Sequence, residues 1–484
     1  MKSIPLIALL LSILSLAAAA PAADAPRPNI VYFLADDMGW GDAGFHGSEI
    51  KTPAIDSIAA RGARLEQFYV QPVCSPTRAS FMTGRYPMRM GLQVSVIRPW
   101  AEYGMPLTEQ TLPQGLKSVG YETAIVGKWH LGFVTPDYLP THRGFDHQYG
   151  HYNGALDYFT HIRDGGFDWH KDDKVNHDEG YSTFLVRDEA IRLIKARDKD
   201  KPLFLYVPFN AVHAPHQVPP KYTEPYANLK EKRKTYAGML AAMDESIGQI
   251  LATLDSEGIR GNTLILFSSD NGGPAPGVVT SNGPLRAGKG TLYEGGVRVC
   301  AAAAWDGHIK PGSIVNQPIH VSDLYPTLLG LAGAKVDQKA ALDGVDVWPT
   351  ITDGKPSPRK EILHNTTPNN GAIRVGDFKL VIGGNIVDRE EGPAADGPEV
   401  GEKAADPAPA ARPNRNRVGK DPANVELFDL SKDPYEKKNL AAEMPEKVKE
   451  LRTRYDELAK QAMPPKSAPK AKDFLTPKVW GEAK

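Results

Sequence analysis

Asn29-Ile30-Val31-Tyr32-Phe33-Leu34-Ala35-Asp36-Asp37 decides how the rest of the chain is read. Residues 29–34 form a short apolar run, the pattern of a strand buried on both faces. Two acids follow directly. Three later runs share the pattern: Thr123–Val126, Leu203–Phe209 and Thr263–Ser268. Helical patterns fall between them. Thr52 reads as an N-cap with Pro53 at the first helical position, and Gly62 closes that helix. A second helix spans Thr235 to Asp255, with Tyr236, Met239, Leu240, Met243, Ile247, Ile250, Leu251 and Leu254 at helical spacing. The alternation predicts an α/β body: a parallel or mixed sheet with helices on both faces. In such sheets ligands gather at the carboxyl ends of the strands, where Asp36 and Asp37 stand.

Downstream the pattern changes. Glu361–His364, Ala372–Val375, Lys379–Ile382 and Glu426–Asp429 read as short antiparallel strands. A last helix carries Val448, Leu451, Tyr455, Leu458 and Ala462 on one face. This predicts a smaller C-terminal α+β lobe over residues 361–484, after a larger N-terminal domain over 26–360. Residues 388–424, rich in Ala, Pro, Gly and charge, read as an insertion that buries little.

The chain has 484 residues, 41% hydrophobic and 24% charged, with a formal net charge of -1. That is ordinary globular composition with ample length for a core. There is no basic excess, so the charge gives no support to nucleic acid or acidic membranes as partners. Lys2, the apolar run Ile4–Leu16 and the small residues Ala17–Ala20 form a secretory signal pattern over residues 1–25. The competing reading is an anchor helix, for which the run is short. No comparable run follows, so the mature chain is expected to be secreted or periplasmic, without stable membrane insertion. Two cysteines, Cys74 and Cys300, cannot build a disulfide scaffold.

Cys74-Ser75-Pro76-Thr77-Arg78 is the most specific segment, and Thr83-Gly84-Arg85 follows it. Pro76 suits the first turn of a helix, which places Cys74 at a helix N-terminus. Free N–H groups there attract anions and lower a thiol's pKa. A bare C-x-P-x-R could equally mark a buried structural cysteine. Asp36-Asp37 and Asp270-Asn271 each follow a strand, so two strand ends can join four oxygen donors. Oxygen-only donors suit Ca²⁺ or Mg²⁺ rather than zinc. Each pair alone also reads as turn residues.

These segments resemble the formylglycine-dependent sulfatases of the alkaline-phosphatase-like superfamily. The resemblance rests on Cys74–Gly84 and on "PNIVYFLADDMGWGD", "GKWHLG", "VHAPH", "SSDNGG" and "LRAGKGTLYEGGVR", in order across residues 28–380. It implies that fold, with a mostly parallel sheet between helices. It implies that a maturation enzyme oxidises Cys74 to formylglycine (3-oxoalanine). It implies a metal site of Asp36, Asp37, Asp270, Asn271 and the modified Cys74, usually holding Ca²⁺, with Mg²⁺ left open. Arg78 would orient the nucleophile, and Lys128, His130, His213 and Lys289 would form the sulfate pocket. The resemblance gives His130 as the base for the second half of the reaction. It gives His213, helped by Lys289, as proton donor to the leaving alcohol.

The residue types suit that chemistry. A sulfate ester needs positive charge on its nonbridging oxygens and a nucleophile. A hydrated aldehyde offers one hydroxyl to attack sulfur and a second whose deprotonation expels the sulfate. A plain serine would stay sulfated. "GFDHQYGHYNGALDYFTH" and "NGPLRAGKGTLYEGG" look most like the arylsulfatase B (N-acetylgalactosamine-4-sulfatase) branch and bacterial polysaccharide relatives. A sulfated carbohydrate is therefore the expected substrate. His151, Asp157, His142, His147, His216, Tyr152, Tyr158 and Trp169 are candidates for the sugar site, with loop packing as the alternative. Two other functions stay open: a phosphomonoester or phosphonate monoester hydrolase on the same fold, and a non-catalytic binder of sulfated glycans.

Overall fold

A computed structural model describes residues 27–336, 339–367, 370–384, 425–467 and 469–482. The expected signal segment, residues 1–25, and the expected insertion, residues 388–424, lie outside the described residues. Ten strands form the main sheet. In chain order they are β1 (Asn29–Ala35), β2 (Ala63–Leu65), β3 (Glu122–Lys128), β4 (His147–His151), β5 (His170–Lys171), β6 (Lys174–Val175), β7 (Leu203–Pro208), β8 (Thr263–Ser269), β9 (Ala301–Ala304) and β10 (Ser313–Val315). Their spatial order is β10-β2-β9-β8-β1-β7-β3-β4-β5-β6. The central run β8-β1-β7-β3-β4 is parallel throughout. Antiparallel pairs flank it on both sides. This is the mixed, mostly parallel sheet expected from the sequence.

The alternation of β1 sorts the core. Val31, Phe33 and Ala35 point to one face, packed with α1 (Pro53–Arg61) and two later helices, α3 (Ser182–Ala196) and α4 (Glu231–Ser256). Ile30, Tyr32 and Leu34 point to the other, against α2 (Cys74–Thr83). Both faces are apolar, so β1 reads as a continuous run rather than an alternating one. α4 begins at Glu231, four residues before the expected start at Thr235.

The start of α1 differs from expectation. Thr52 does precede the helix, but its side chain does not cap it. Its hydroxyl accepts from Gly44 N–H at 2.7 Å and donates to Asp56 at 3.0 Å. The first helical N–H groups, of Ala54 and Ile55, donate instead to Asp244 on α4, at 3.0 and 2.8 Å.

The C-terminal lobe is a four-stranded antiparallel sheet, β11 (Glu361–Thr367), β12 (Asn370–Val375), β13 (Phe378–Ile382) and β14 (Val425–Asp429), in that order. Helix α5 (Pro445–Ala459) packs on it through Leu451, Tyr455 and Leu458. Ala462 falls beyond the helix end. The lobe meets the body at a buried Lys379, whose Nζ lies 2.9 Å from both Glu294 and Glu436. Among the described residues, no helix is long and apolar enough to cross a membrane.

Candidate active site

The carboxyl ends of β1 and β8 lie side by side, because the two strands pair in parallel register through Ala35 and Ser269. The four residues that follow are therefore forced together. Asp270 N–H donates to the Ala35 carbonyl at 3.0 Å. Asp37 has a left-handed φ of 68°, a region aspartate tolerates better than most residues. Its N–H donates to Asp270 Oδ1 at 3.3 Å. Asn271 Nδ2 donates to Asp37 Oδ1 at 2.7 Å, leaving Asn271 Oδ1 directed at the thiol, 3.6 Å from Cys74 Sγ. Cys74 Sγ also lies 3.5 Å from Asp36 Oδ1. Ligating atoms of Asp36, Asp37, Cys74 and His213 all lie within 4.8 Å of one another.

Three cations surround this acidic centre. Arg78, one turn after Cys74 and fully buried, donates to Asp270 Oδ2 through Nε at 3.2 Å and Nη2 at 2.9 Å. Its Nη1 donates to the Lys128 carbonyl at 2.8 Å. Lys128, at the end of β3, places Nζ 2.5 Å from Asp36 Oδ2. Lys289 places Nζ 2.9 and 3.0 Å from the two Asp37 oxygens. Burial and the charge of Asp270 push the Asp36 carboxyl up to about 7, despite Lys128. Burial would raise Asp37 too, but Lys289 and His213 hold it well below the usual range. Burial, then Asp270, also push the Cys74 thiol well up. This corrects the expectation that the helix N-terminus lowers it: inside the fold, desolvation next to carboxylates outweighs the helix end.

Two histidines complete the cleft. His130 follows β3 with a φ of 59°. Its Nε2 lies 3.0 Å from the Ile97 carbonyl, so Nε2 carries the proton. Its buried Nδ1 has no hydrogen-bond partner among the described residues and is left as an acceptor. Ser75 ties this loop to α2, donating to the His130 carbonyl at 2.9 Å and accepting from Ile97 N–H at 3.0 Å. His213 donates from Nδ1 to the Ala214 carbonyl at 2.6 Å, and its Nε2 lies 3.6 Å from Asp37 Oδ2. Burial and neighbouring lysines lower both imidazole pKa values, favouring neutral rings. Cys74, His130, His213 and Lys289 line one narrow cleft.

A family model described as Sulfatase matches residues 28–334. The chain belongs to the sulfatase family. Arylsulfatase J of Mus musculus is 39% identical, over 94% of this chain and 80% of that protein. N-acetylgalactosamine-6-sulfatase of Mus musculus is 36% identical, over 74% of this chain and 72% of that protein. The crystal structure of Ps i-CgsB in complex with k-i-k-neocarrahexaose superposes with a TM-score of 0.78 at 30% identity, covering 91% of this chain and 94% of that one. The sulfatase is accordingly a sulfuric ester hydrolase.

The sulfatase brings together Asp36, Asp37, Cys74, Arg78, Lys128, His130, His213, Asp270, Asn271 and Lys289. The residues expected at a sugar site fall elsewhere. His151 is wholly buried and stacks on Trp169, so it offers no surface to a substrate. Tyr152, Tyr158 and Trp169 are likewise core residues. Asp157 spends its oxygens on Phe159 N–H, Thr160 N–H and Gln217 Nε2, at 3.0, 2.8 and 2.6 Å. His147 bridges Asp172 and Glu189, and His142 pairs with Asp173. His216 lies edge-on to Tyr236. The segment is rich in aromatic and polar residues because it packs a buried strand end. Two cleft residues carried no signal in the sequence: Arg98 and Arg163. Neither falls in a motif: Arg98 stands in a loop and Arg163 on a two-residue strand.

Proposed function

We propose that this sulfatase hydrolyses sulfate esters of a sulfated carbohydrate and releases inorganic sulfate. The observation that carries the reading is the convergence of Cys74, four oxygen-bearing ligand residues, two lysines and two histidines on one cleft. The glycan substrate is supported by a relative named N-acetylgalactosamine-6-sulfatase and by a structural neighbour solved with a neocarrahexaose. We further propose that Cys74 is converted to formylglycine by a maturation enzyme, and that the chain is exported after removal of its first residues.

Asp36, Asp37, Asp270 and Asn271 fit a hard divalent cation. All are buried, all offer oxygen, and burial, then the charge of Asp270, pushes Asp36 towards protonation. Ca²⁺ is the expected ion, with Mg²⁺ the second choice. When bound, it would neutralise these carboxylates and draw charge from the nonbridging oxygens of the sulfate. A hydrated formylglycine at position 74 would supply the attacking hydroxyl.

The chain's own residues do the rest. Arg78 holds Asp270 and the end of β3 in place. Lys128 and Lys289 bring positive charge to the sulfate. His130 Nδ1 is the free acceptor that takes a proton in the second half of the reaction. His213 meets the cleft through Nε2, which is bare in the neutral ring because Nδ1 holds the proton against Ala214; a proton first taken up at Nε2, giving the imidazolium, would then pass to the ester oxygen of the leaving alcohol.

The test combines three measurements on protein matured with the modifying enzyme. Peptide mass spectrometry should find residue 74 without its thiol and reactive to a hydrazide. Elemental analysis should find one calcium or magnesium per chain, lost in Asp270→Ala. An aryl sulfate should be turned over faster than the matching aryl phosphate. A thiol at position 74 in active protein, stoichiometric zinc, or preference for the phosphate would each overturn the reading.

A further inference from the structure

Two cations of the cleft take no part in this chemistry. Arg98 and Arg163 line it together with Cys74, His130, His213 and Lys289, and among the described residues no acidic side chain does. Arg78, Lys128 and Lys289 already stand against Asp270, Asp36 and Asp37. A single sulfate ester carries one negative charge, which Lys289 and the metal site address. Arg163 is positive charge beyond that need. Arg163 Nε is paired with its chain neighbour Asp164 at 3.3 Å. That pair joins two part-exposed side chains adjacent in the chain, and a stronger anion can replace it.

One segment braces both arginine-bearing walls. After α5 the chain runs back over the body as a strap, residues 463–467 and 469–482. It passes the loop that carries Arg98: Met463 N–H donates to the Met88 carbonyl at 2.9 Å, and Tyr103 hydroxyl donates to the Lys466 carbonyl at 3.0 Å. Phe474 meets the edge of Trp100, two residues after Arg98. The strap then pairs with the hairpin Ile162–Arg163 and Gly166–Phe167. Phe167 N–H donates to the Lys478 carbonyl at 2.8 Å, and Trp480 N–H returns to the Phe167 carbonyl at 2.9 Å. The Trp480 indole N–H donates to the carbonyl of Arg163 itself, at 2.8 Å. Trp480 is buried, with Phe474 stacked on it and Phe133 at its edge. Gly166 permits the contact, because a Cβ there would stand 2.7 Å from the indole nitrogen.

We propose that Arg163 binds a second oxyanion of the saccharide beside the scissile sulfate, and that Trp480 of the strap is the positioning residue that holds it there. The enzyme then prefers saccharides bearing two anionic groups. This rests on the carbohydrate reading above and names the substrate class within it. A planar guanidinium recognises sulfate and carboxylate alike by paired N–H donors. The second group can therefore be either.

The experiment measures competitive inhibition of 4-nitrocatechol sulfate hydrolysis, so binding is read whether or not the inhibitor is turned over. Three disaccharides are compared: one monosulfated and neutral elsewhere, one monosulfated with a uronate, and one disulfated. In the wild type at least one dianionic sugar should bind about 10-fold or more tightly than the monosulfated one, the scale of a charge-assisted hydrogen bond. Which one does so identifies the second group. Arg163→Gln, on an exposed hairpin, should erase that ratio. Trp480→Ala should erase it too, whereas mere loss of stability would weaken all three inhibitors alike. Equal inhibition constants in the wild type, or a ratio preserved in Arg163→Gln, overturns the proposal. A ratio lost in Arg163→Gln but kept in Trp480→Ala overturns the role of the strap. Failure to release sulfate from any of the sugars overturns the carbohydrate reading instead, and leaves the inhibition ratio to decide the anion site.

Discussion

His130 and His213 stand in one cleft with opposite hydrogen-bonding states. His130 spends its Nε2 proton on Ile97 and keeps a bare Nδ1, whereas His213 spends Nδ1 on Ala214 and turns Nε2 to the cleft. In the neutral rings both of these cleft-facing nitrogens are bare, so the proposed division of roles rests on the family resemblance and requires His213 to take up a proton before the alcohol leaves. A sugar alcohol is a poor leaving group and needs a proton in the transition state, and a nitrophenolate needs little. His213→Ala should therefore lose about 10²-fold more rate on a sulfated sugar than on an aryl sulfate. His130→Ala should slow a step after the alcohol has left, so stopped-flow should show a burst of alcohol before slow turnover. Equal losses on both substrates without a burst would contradict this division. Arg78 was legible as part of the C-x-P-x-R pattern. Its full burial against Asp270 and the Lys128 carbonyl was not, because those partners are 192 and 50 residues away.

At the scale of elements, charges on α3 and α4 do work that local sequence does not announce. Glu189 on α3 takes Arg192 Nε and Nη2, both at 2.7 Å, and His147 at 2.7 Å from β4. Burial alone would raise its carboxyl, but Arg192 and His147 hold it down to about 2. A carboxylate whose pKa falls on folding contributes stability above its unfolded value. That stability is complete above the model-peptide value of about 4.3 and is lost as the pH falls through about 2. Acid titration of unfolding should be shallower over this window in Glu189→Gln than in the wild type; parallel curves would contradict the pairing. Asp244 on α4 caps α1, so Asp244→Ala should lower unfolding free energy by about 1–2 kcal/mol. Thermal or urea unfolding measures it. The reading of Thr52 as the cap followed a sound local rule. It failed because a carboxylate 190 residues away, on a helix packed alongside, reached the N–H groups first.

The whole molecule depends on the joint between body and lobe. Lys379 on β13 is buried between Glu294 of the body and Glu436 of the lobe. Removing its charge leaves two carboxylates facing each other without water, at a cost of about 3–5 kcal/mol. Lys379→Met should lower the melting temperature sharply, and the double variant with Glu294→Gln should recover part of the loss. A melting temperature unchanged in Lys379→Met would show the joint to be immaterial. The strap adds a second link, from the end of the lobe to the rim of the cleft.

The sequence by itself determined four central strands of the sheet, the strand ends that carry Asp36, Asp37, Asp270 and Asn271, the helix that begins at Cys74, and the family. These are readable because each rests on neighbours in the chain: an apolar run, the acids that follow it, a proline in a first turn. Tertiary structure alone decided the ionisation of Cys74, the capping of α1, the burial of His151 and Trp169, and the placing of Arg98 and Arg163 on the cleft. Each of these depends on what is brought near from far along the chain, and on how much water is excluded there. Neither quantity is written in any local window of residues.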